Sequence, residues 1–215
     1  MSDHSLVPAL PDTPAGRGAV ELVRKSVSEP VANHSFRSYV FAVLLAEHEG
    51  MKAGAEFDAD LLFHACVLHD LGTSASAPGK ERFEVEGADM AAEFLRLRGY
   101  GTEQVDAVWE AVALHTSGGI ADRRGALVYL THHGIGADFG LGAEYVTDAQ
   151  GEALHARYAR LNMATALVDD IIRQAARSPE GSDPYTIPGT FLRERSEIGS
   201  ATTLELVSRD SRWGA

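Results

Sequence analysis

Residues 64–72 read His64-Ala65-Cys66-Val67-Leu68-His69-Asp70-Leu71-Gly72. An apolar run containing Leu61, Leu62, Ala65 and Leu68 ends in an imidazole beside a carboxylate, and Gly72 follows as a helix stop signal. Imidazole nitrogen and carboxylate oxygen both suit a borderline or hard divalent cation. A single His-Asp pair arises often by chance, so its meaning depends on the rest of the chain.

Upstream, Asp58 is placed to cap the helix that ends in this pair. Ser28-Glu29-Pro30 is a second start signal, and the helix it opens puts His34, Arg37, Ser38, Phe41 and Leu45 on one inward face before Gly50 closes it. A short helix is expected over residues 18–27, and residues 1–15, with Pro8, Pro11 and Pro14, form a flexible lead-in.

Downstream, residues 72–82 form a small-residue loop, either a mouth over a site or a plain connection. A helix over 85–98 ends at Gly99. Thr102 caps the next, which carries Val105, Val108, Trp109 and Val112 inward and His115 at its end. A helix over 122–133 runs into the glycines at 134, 136 and 140, with Asp138 among them. The stripe Leu154, Tyr158, Leu161, Thr165, Val168, Ile172 predicts one long helix over 151–176. Beyond Ser178-Pro179 one short helix is expected near 189–197, and 198–215 is a tail without a readable pattern. With no alternating strand pattern and no repeat, the chain reads as one all-α domain over 16–197.

The chain has 215 residues, 45% hydrophobic and 23% charged, as in an ordinary soluble domain. No apolar run approaches the roughly 18–20 residues that span a bilayer, so no membrane partner is expected. No signal-peptide pattern opens it, and the cytoplasm is the expected compartment. Its net charge of -12 argues against a broad phosphate-binding surface and hence against nucleic acid as partner. The single cysteine, Cys66, reads as a buried, inert thiol.

Four candidate metal ligands therefore stand at the ends or inner faces of different helices: His34, the adjacent pair His69 and Asp70, and Asp138. Two imidazoles and two carboxylates with positions left for water make a catalytic arrangement rather than a closed structural one.

The order His…His-Asp…Asp on an all-α chain resembles the HD-domain superfamily of metal-dependent enzymes, a helical bundle with a metal site between helices. Closer motifs are Asn33-His34-Ser35 with Arg37, Leu68-His69-Asp70-Leu71-Gly72 and Arg82-Phe83-Glu84-Val85-Glu86-Gly87-Ala88. Ala113-Leu114-His115-Thr116-Ser117, residues 134–138 and Arg160-Leu161-Asn162 complete the set. Together they resemble the cyanamide hydratase-like branch over roughly residues 30–195. The resemblance implies Zn²⁺ on His34, His69, Asp70 and Asp138, with Fe²⁺ or Mn²⁺ compatible with the same donors. It further implies a homo-oligomer and a small-molecule substrate: a nitrile, cyanamide first, hydrated to an amide by hydroxide formed on the metal, with urea as the product from cyanamide.

In that reading Asp70 serves catalysis as well as the metal, and His115 is the candidate proton shuttle. Phe83, Glu84, Glu86 and Thr116 are candidates for the substrate site, and Arg37 for an ion pair with a carboxylate ligand. A narrow pocket lined by Phe41, Phe83, Trp109 or Ile120 would suit a linear nitrile. His64 reads as structural or surface, and at most one of His132 and His133 can face the site. The alternative is a phosphohydrolase acting on a small phosphate ester or nucleotide, for which Arg37, Lys80, Arg82, Arg123 and Arg124 are the candidate phosphate clamps. A di-iron oxygenase lacks histidines between His69 and His115, and a non-catalytic metal-stabilised module would require closed coordination.

Overall fold

Helix starts follow the local chemistry. The Thr13 hydroxyl accepts from the Gly16 amide at 3.0 Å and opens α1 (Pro14–Ser26), four residues before the expected start. Glu29 and Pro30 occupy the first helical positions of α2 (Glu29–His48), with Ser28 as cap residue. Asp58 accepts from the amides of Asp60 and Leu61 at 2.8 and 3.1 Å, launching α3 (Ala59–Leu68). In the computed structural model, which describes residues 6–198 and 201–214, these are followed by α4 (Phe83–Arg96), α5 (Thr102–Ala113), α6 (Ala126–Asp138), α7 (Asp148–Arg157), α8 (Met163–Ala175), α9 (Ile187–Ile198) and α10 (Thr203–Asp210). Leu71–Thr73 and Ala121–Arg123 are single 3-10 turns. Among the described residues there is no strand, only an isolated bridge between Ala53 and Phe57. No described helix is long and apolar enough to cross a membrane.

α2 and α3 are buried on nearly every side and form the centre of the bundle. Phe36, Phe41, Phe63, Leu62 and Leu68 anchor the main core. A smaller cluster of Phe83, Phe139, Met163, Leu167 and Phe191 lies where α8 and α9 cover the ends of α4 and α6. Cys66 is fully buried, and burial pushes its thiol up to about 12, so it is inert at neutral pH.

Further along the chain, several boundaries differ from the sequence reading for local reasons. Thr102 is the first helical residue of α5; Gly101 takes the cap, its amide donating to Gln104 Oε1 at 3.0 Å. The helix expected over 122–133 instead spans Ala126–Asp138, because Gly134 and Gly136 continue it rather than stop it. The helix expected over 151–176 is two helices, since Leu161 and Asn162 adopt left-handed backbone (φ 54° and 55°) and reverse the chain. Within the 198–215 tail, residues 203–210 form α10, where Thr202 and Glu205 make a capping box.

Gly134 permits the extensive α2–α6 contact: a Cβ there would meet the Ala42 Cβ and the Ser38 carbonyl, each at 2.6 Å. Gly72 acts similarly, for a Cβ would lie 1.9 Å from the Phe83 carbonyl; it lets the turn after Asp70 sit against the start of α4. A methyl at Gly134 forces two packed backbones apart. Gly134→Ala should therefore destabilise the fold by about 1–3 kcal/mol, despite the ~1 kcal/mol that alanine ordinarily adds to a helix. Gly136→Ala meets only Leu141 atoms, at 3.8 and 3.9 Å, and should be neutral or stabilising. Urea unfolding of both variants checks this; equal stabilities would sink it.

Candidate metal centre

Three histidines converge at one end of the bundle, each with one ring nitrogen already committed. His34, in the second turn of α2, donates Nδ1–H to Asp138 Oδ2 at 2.6 Å. His69, capping α3, donates Nδ1–H to the Cys66 carbonyl at 2.7 Å, and His115, just after α5, donates to the Val112 carbonyl at 2.6 Å. In the neutral rings all three Nε2 atoms therefore carry lone pairs. Asp70 follows His69 in the turn, its own carbonyl accepting from the Thr73 amide and hydroxyl at 3.0 and 2.8 Å.

His69 Nε2 lies 3.0 Å from Asp70 Oδ2, and His34 Nε2 lies 3.8 Å from the same oxygen. None of these three atoms has a hydrogen-bond partner, although all are buried. The ligand atoms of His34, His69 and Asp70 lie within 4.8 Å of one another. Lone pairs facing each other in a dry site repel unless a proton or a metal cation stands between them. The site shows this tension: burial opposes the charged form of His69, but the Asp70 carboxylate outweighs it and raises His69 above its ordinary value. Burial would raise Asp70, yet the neighbouring His69 holds it at about 2. Burial lowers His34, and it lowers His115 to about 4, so both imidazoles are neutral at pH 7. Two imidazole nitrogens and one carboxylate oxygen fit a divalent ion and leave further coordination positions.

Asp138, the last residue of α6, stands behind His34. Arg37 donates Nε–H to its Oδ1 at 2.8 Å and Nη2–H to its Oδ2 at 2.7 Å. Arg160 Nη1 reaches Oδ1 at 3.1 Å and the Asp138 carbonyl at 2.8 Å. Burial alone would raise this carboxyl, but the Arg37 guanidinium and His34 hold it far below the usual range. The resemblance implied a fourth ligand here. In the structure both oxygens are engaged, and Asp138 turns the lone pair of His34 toward Asp70. Arg37 and Asp138 form a fully buried ion pair at 2.7 Å. Arg160 was visible only as part of a motif, and the break before α8 is what brings it here.

The cluster forms the floor of a cavity of about 430 Å³. Phe83, His115 and Thr116 line it; Glu84 and Glu86 do not. Glu84 is buried behind Thr116, accepting from its hydroxyl at 2.8 Å and from Arg82 Nη2 at 2.9 Å. Glu86 instead holds the loop, accepting from the amides of residues 79–81 and from Gln174. No residue of that loop lines the cavity, whereas residues of α9 and α10 do.

Of the aromatic and apolar side chains expected at a pocket, only Phe83 lines this one. Phe41 stacks on Trp213 in the core, Trp109 donates to Asp89, and Ile120 is exposed. The candidate phosphate clamps also point elsewhere: Arg82 pairs with Glu84, Arg123 with the Gly119 carbonyl and Arg124 with Glu110. Lys80 is exposed on the loop. His64 is buried, bonding the Asp60 carbonyl, so it is structural. His132 reaches the cavity margin and donates to the His115 carbonyl, while His133 pairs with Asp122.

A protein-family model described as HD domain matches residues 31–175. Among curated proteins, cyanamide hydratase DDI2 and cyanamide hydratase DDI3 of Saccharomyces cerevisiae are each 28% identical over 108 residues. The match covers 49% of this chain and 47% of each relative, so it spans about half the length of the curated proteins.

The isolated chain should take up about one divalent ion, measured by elemental analysis, and His69→Ala should lose it, because only two donors, His34 Nε2 and Asp70 Oδ2, then remain. Asp138→Asn keeps the ligand atoms but removes the charge that orients His34. Metal affinity should fall about 10–100-fold in a competition titration, and the metal-free fold should lose about 3–5 kcal/mol, because two buried guanidinium groups lose their counter-charge. Unchanged affinity in Asp138→Asn would contradict the orienting role.

Proposed function

The chain belongs to the HD domain family, and on that premise we propose that it is a metal-dependent hydratase that adds water across the carbon–nitrogen triple bond of a nitrile, with conversion of cyanamide to urea as the simplest case. The observation that carries this reading is the set of unpartnered lone pairs on His34, His69 and Asp70, meeting at the floor of a cavity that no described lysine or arginine lines. The names of the two yeast relatives support the same chemistry.

Zinc is the ion we assign to the three donors; bound there it would lower the pKa of a water molecule from 15.7 toward about 7 and polarise the nitrile nitrogen. The remaining work falls to the chain. His115 presents a neutral Nε2 lone pair toward the cavity, fixed by its Nδ1–H bond to Val112. It receives a proton from the attacking water and returns it to the nitrile nitrogen; the resulting imidic acid tautomerises to the amide. Thr116, tied to Glu84, keeps its hydroxyl at the cavity wall as a partner for the substrate. Asp138, clamped by Arg37 and Arg160, holds His34 in the one orientation that leaves its lone pair inward.

Phosphate-ester hydrolysis needs cations aimed at the phosphoryl oxygens, and Arg82, Arg123 and Arg124 are engaged outside the cavity while Lys80 lies exposed on the loop.

Metal-replete protein incubated with cyanamide should release urea, and chelation should abolish this until metal is restored. His115→Ala should keep its metal while its turnover drops by about 10²–10⁴. Metal-loaded wild type that yields no amide from any nitrile would end the hydratase reading.

A further inference from the structure

Cyanamide is far smaller than the space above the cluster. At about 30 Å³ for each water-sized unit, its three heavy atoms fill roughly 90 Å³, about a fifth of the 430 Å³ cavity. The volume is instead that of a site for a larger organic ligand, apolar except for a few convergent polar groups. Polarity here is confined to the floor (His34, His69, Asp70, His115 and Thr116), to His132 at the margin, and to the far end, where Thr190 lies near Glu194 and Thr203. Between them the walls are hydrocarbon: Phe83, Phe139, Leu167, Ile171, Phe191 and Leu204.

Charge narrows the occupant further. Among the described residues the only carboxylates lining the cavity are Asp70 and Glu194, and no described lysine or arginine lines it. A divalent ion at the floor would offset Asp70, so the repulsion left for an anionic group is that of Glu194, with no described lysine or arginine in the lining to balance it. Glu194 is itself committed, accepting from the Thr203 amide at 3.1 Å and hydroxyl at 2.5 Å. The outer wall is preformed: Arg195 on α9 bonds Asp169 on α8 at 2.8 Å and meets Glu205 on α10 at 3.2 Å. At the rim, Leu141, Ile187 and Val207 are 51%, 38% and 38% exposed, so the apolar lining continues out to solvent.

Resting on the hydratase reading, we infer that the preferred substrate is an uncharged nitrile with a hydrocarbon body of about benzyl size, its C≡N directed at His34, His69 and Asp70 and its body held by the wall that α9 and α10 complete. Each methylene buried in such a wall is worth about four-fold in an equilibrium constant. Binding that persists in the transition state carries into kcat/KM.

The test compares cyanamide with phenylacetonitrile on the metal-replete full chain. Phenylacetonitrile should show a kcat/KM about 100-fold higher, with phenylacetamide as product. Leu204→Asp, at a half-buried wall position, should cut the ratio of the two kcat/KM values about ten-fold; Leu204→Ala, which adds no charge, should cut it less. Cyanamide hydrated as well as or better than phenylacetonitrile would overturn the inference and leave the hydratase reading standing. Hydration of neither would count against the hydratase reading, and calorimetric titration would then decide the pocket by itself. Phenylacetonitrile should bind about 100-fold tighter than cyanamide, and equal affinities would overturn the inference.

Discussion

The carboxylate of Asp138 is the point at which distant parts of the chain are tied together. Arg37 reaches it from α2, Arg160 from the break before α8, and His34 receives its orientation from it. The rest of the Arg37 fork is satisfied by the carbonyls of Tyr158 and Ala159 at 2.9 and 3.1 Å, free to accept only because the helix ends there. Arg160 also donates to Ser208 Oγ at 3.0 Å, drawing α10 onto the same group. Burying this many charges costs desolvation, and such networks are weak sources of net stability. What the network secures is the direction of one imidazole lone pair.

The same logic operates without charge at the other two rings. His69 and His115 each close a bond to the carbonyl three residues earlier, so the end of a helix sets the tautomer. The 3-10 turn after Asp70 then brings its carboxylate beside the preceding imidazole, and Gly72 lets that turn lie against α4. A dipeptide of two buried lone-pair donors, held in this geometry, is well matched to a cation. The unpartnered atoms of His34, His69 and Asp70 are thus a direct consequence of how two helices end.

The parts legible in the sequence were those governed by neighbouring residues. Asp58 and Ser28-Glu29-Pro30 mark helix starts through local hydrogen bonding and fixed φ. His34, His69 and Asp70 stand out because a polar residue on an apolar face is conspicuous. The parts that were not legible depend on distant contacts. Leu161 fits the helical stripe, yet it and Asn162 take a left-handed backbone stabilised by what the reversal allows Arg37 and Arg160 to reach. Gly134 looks like a stop signal, but its role is set by Ala42 and Ser38 on another helix. Glu86 resembles a site residue beside Phe83, and only the fold shows that it secures a loop. The apolar wall from α9 and α10 follows from tertiary placement, which no local pattern encodes.

The residues that gather lone pairs all lie within 31–175, whereas Ile187, Phe191, Leu204 and Val207 lie beyond that stretch. Heritable change can therefore fall on the two separately. Drift in α9 or α10 alters which molecules fit above the floor while leaving the donors as they are, so a lineage can shift its diet without rebuilding its chemistry. The bond between Ser208 and Arg160 limits that freedom. Positions facing the cavity can vary, but the face of α10 that meets this arginine is bound to the same constraint as the donors themselves.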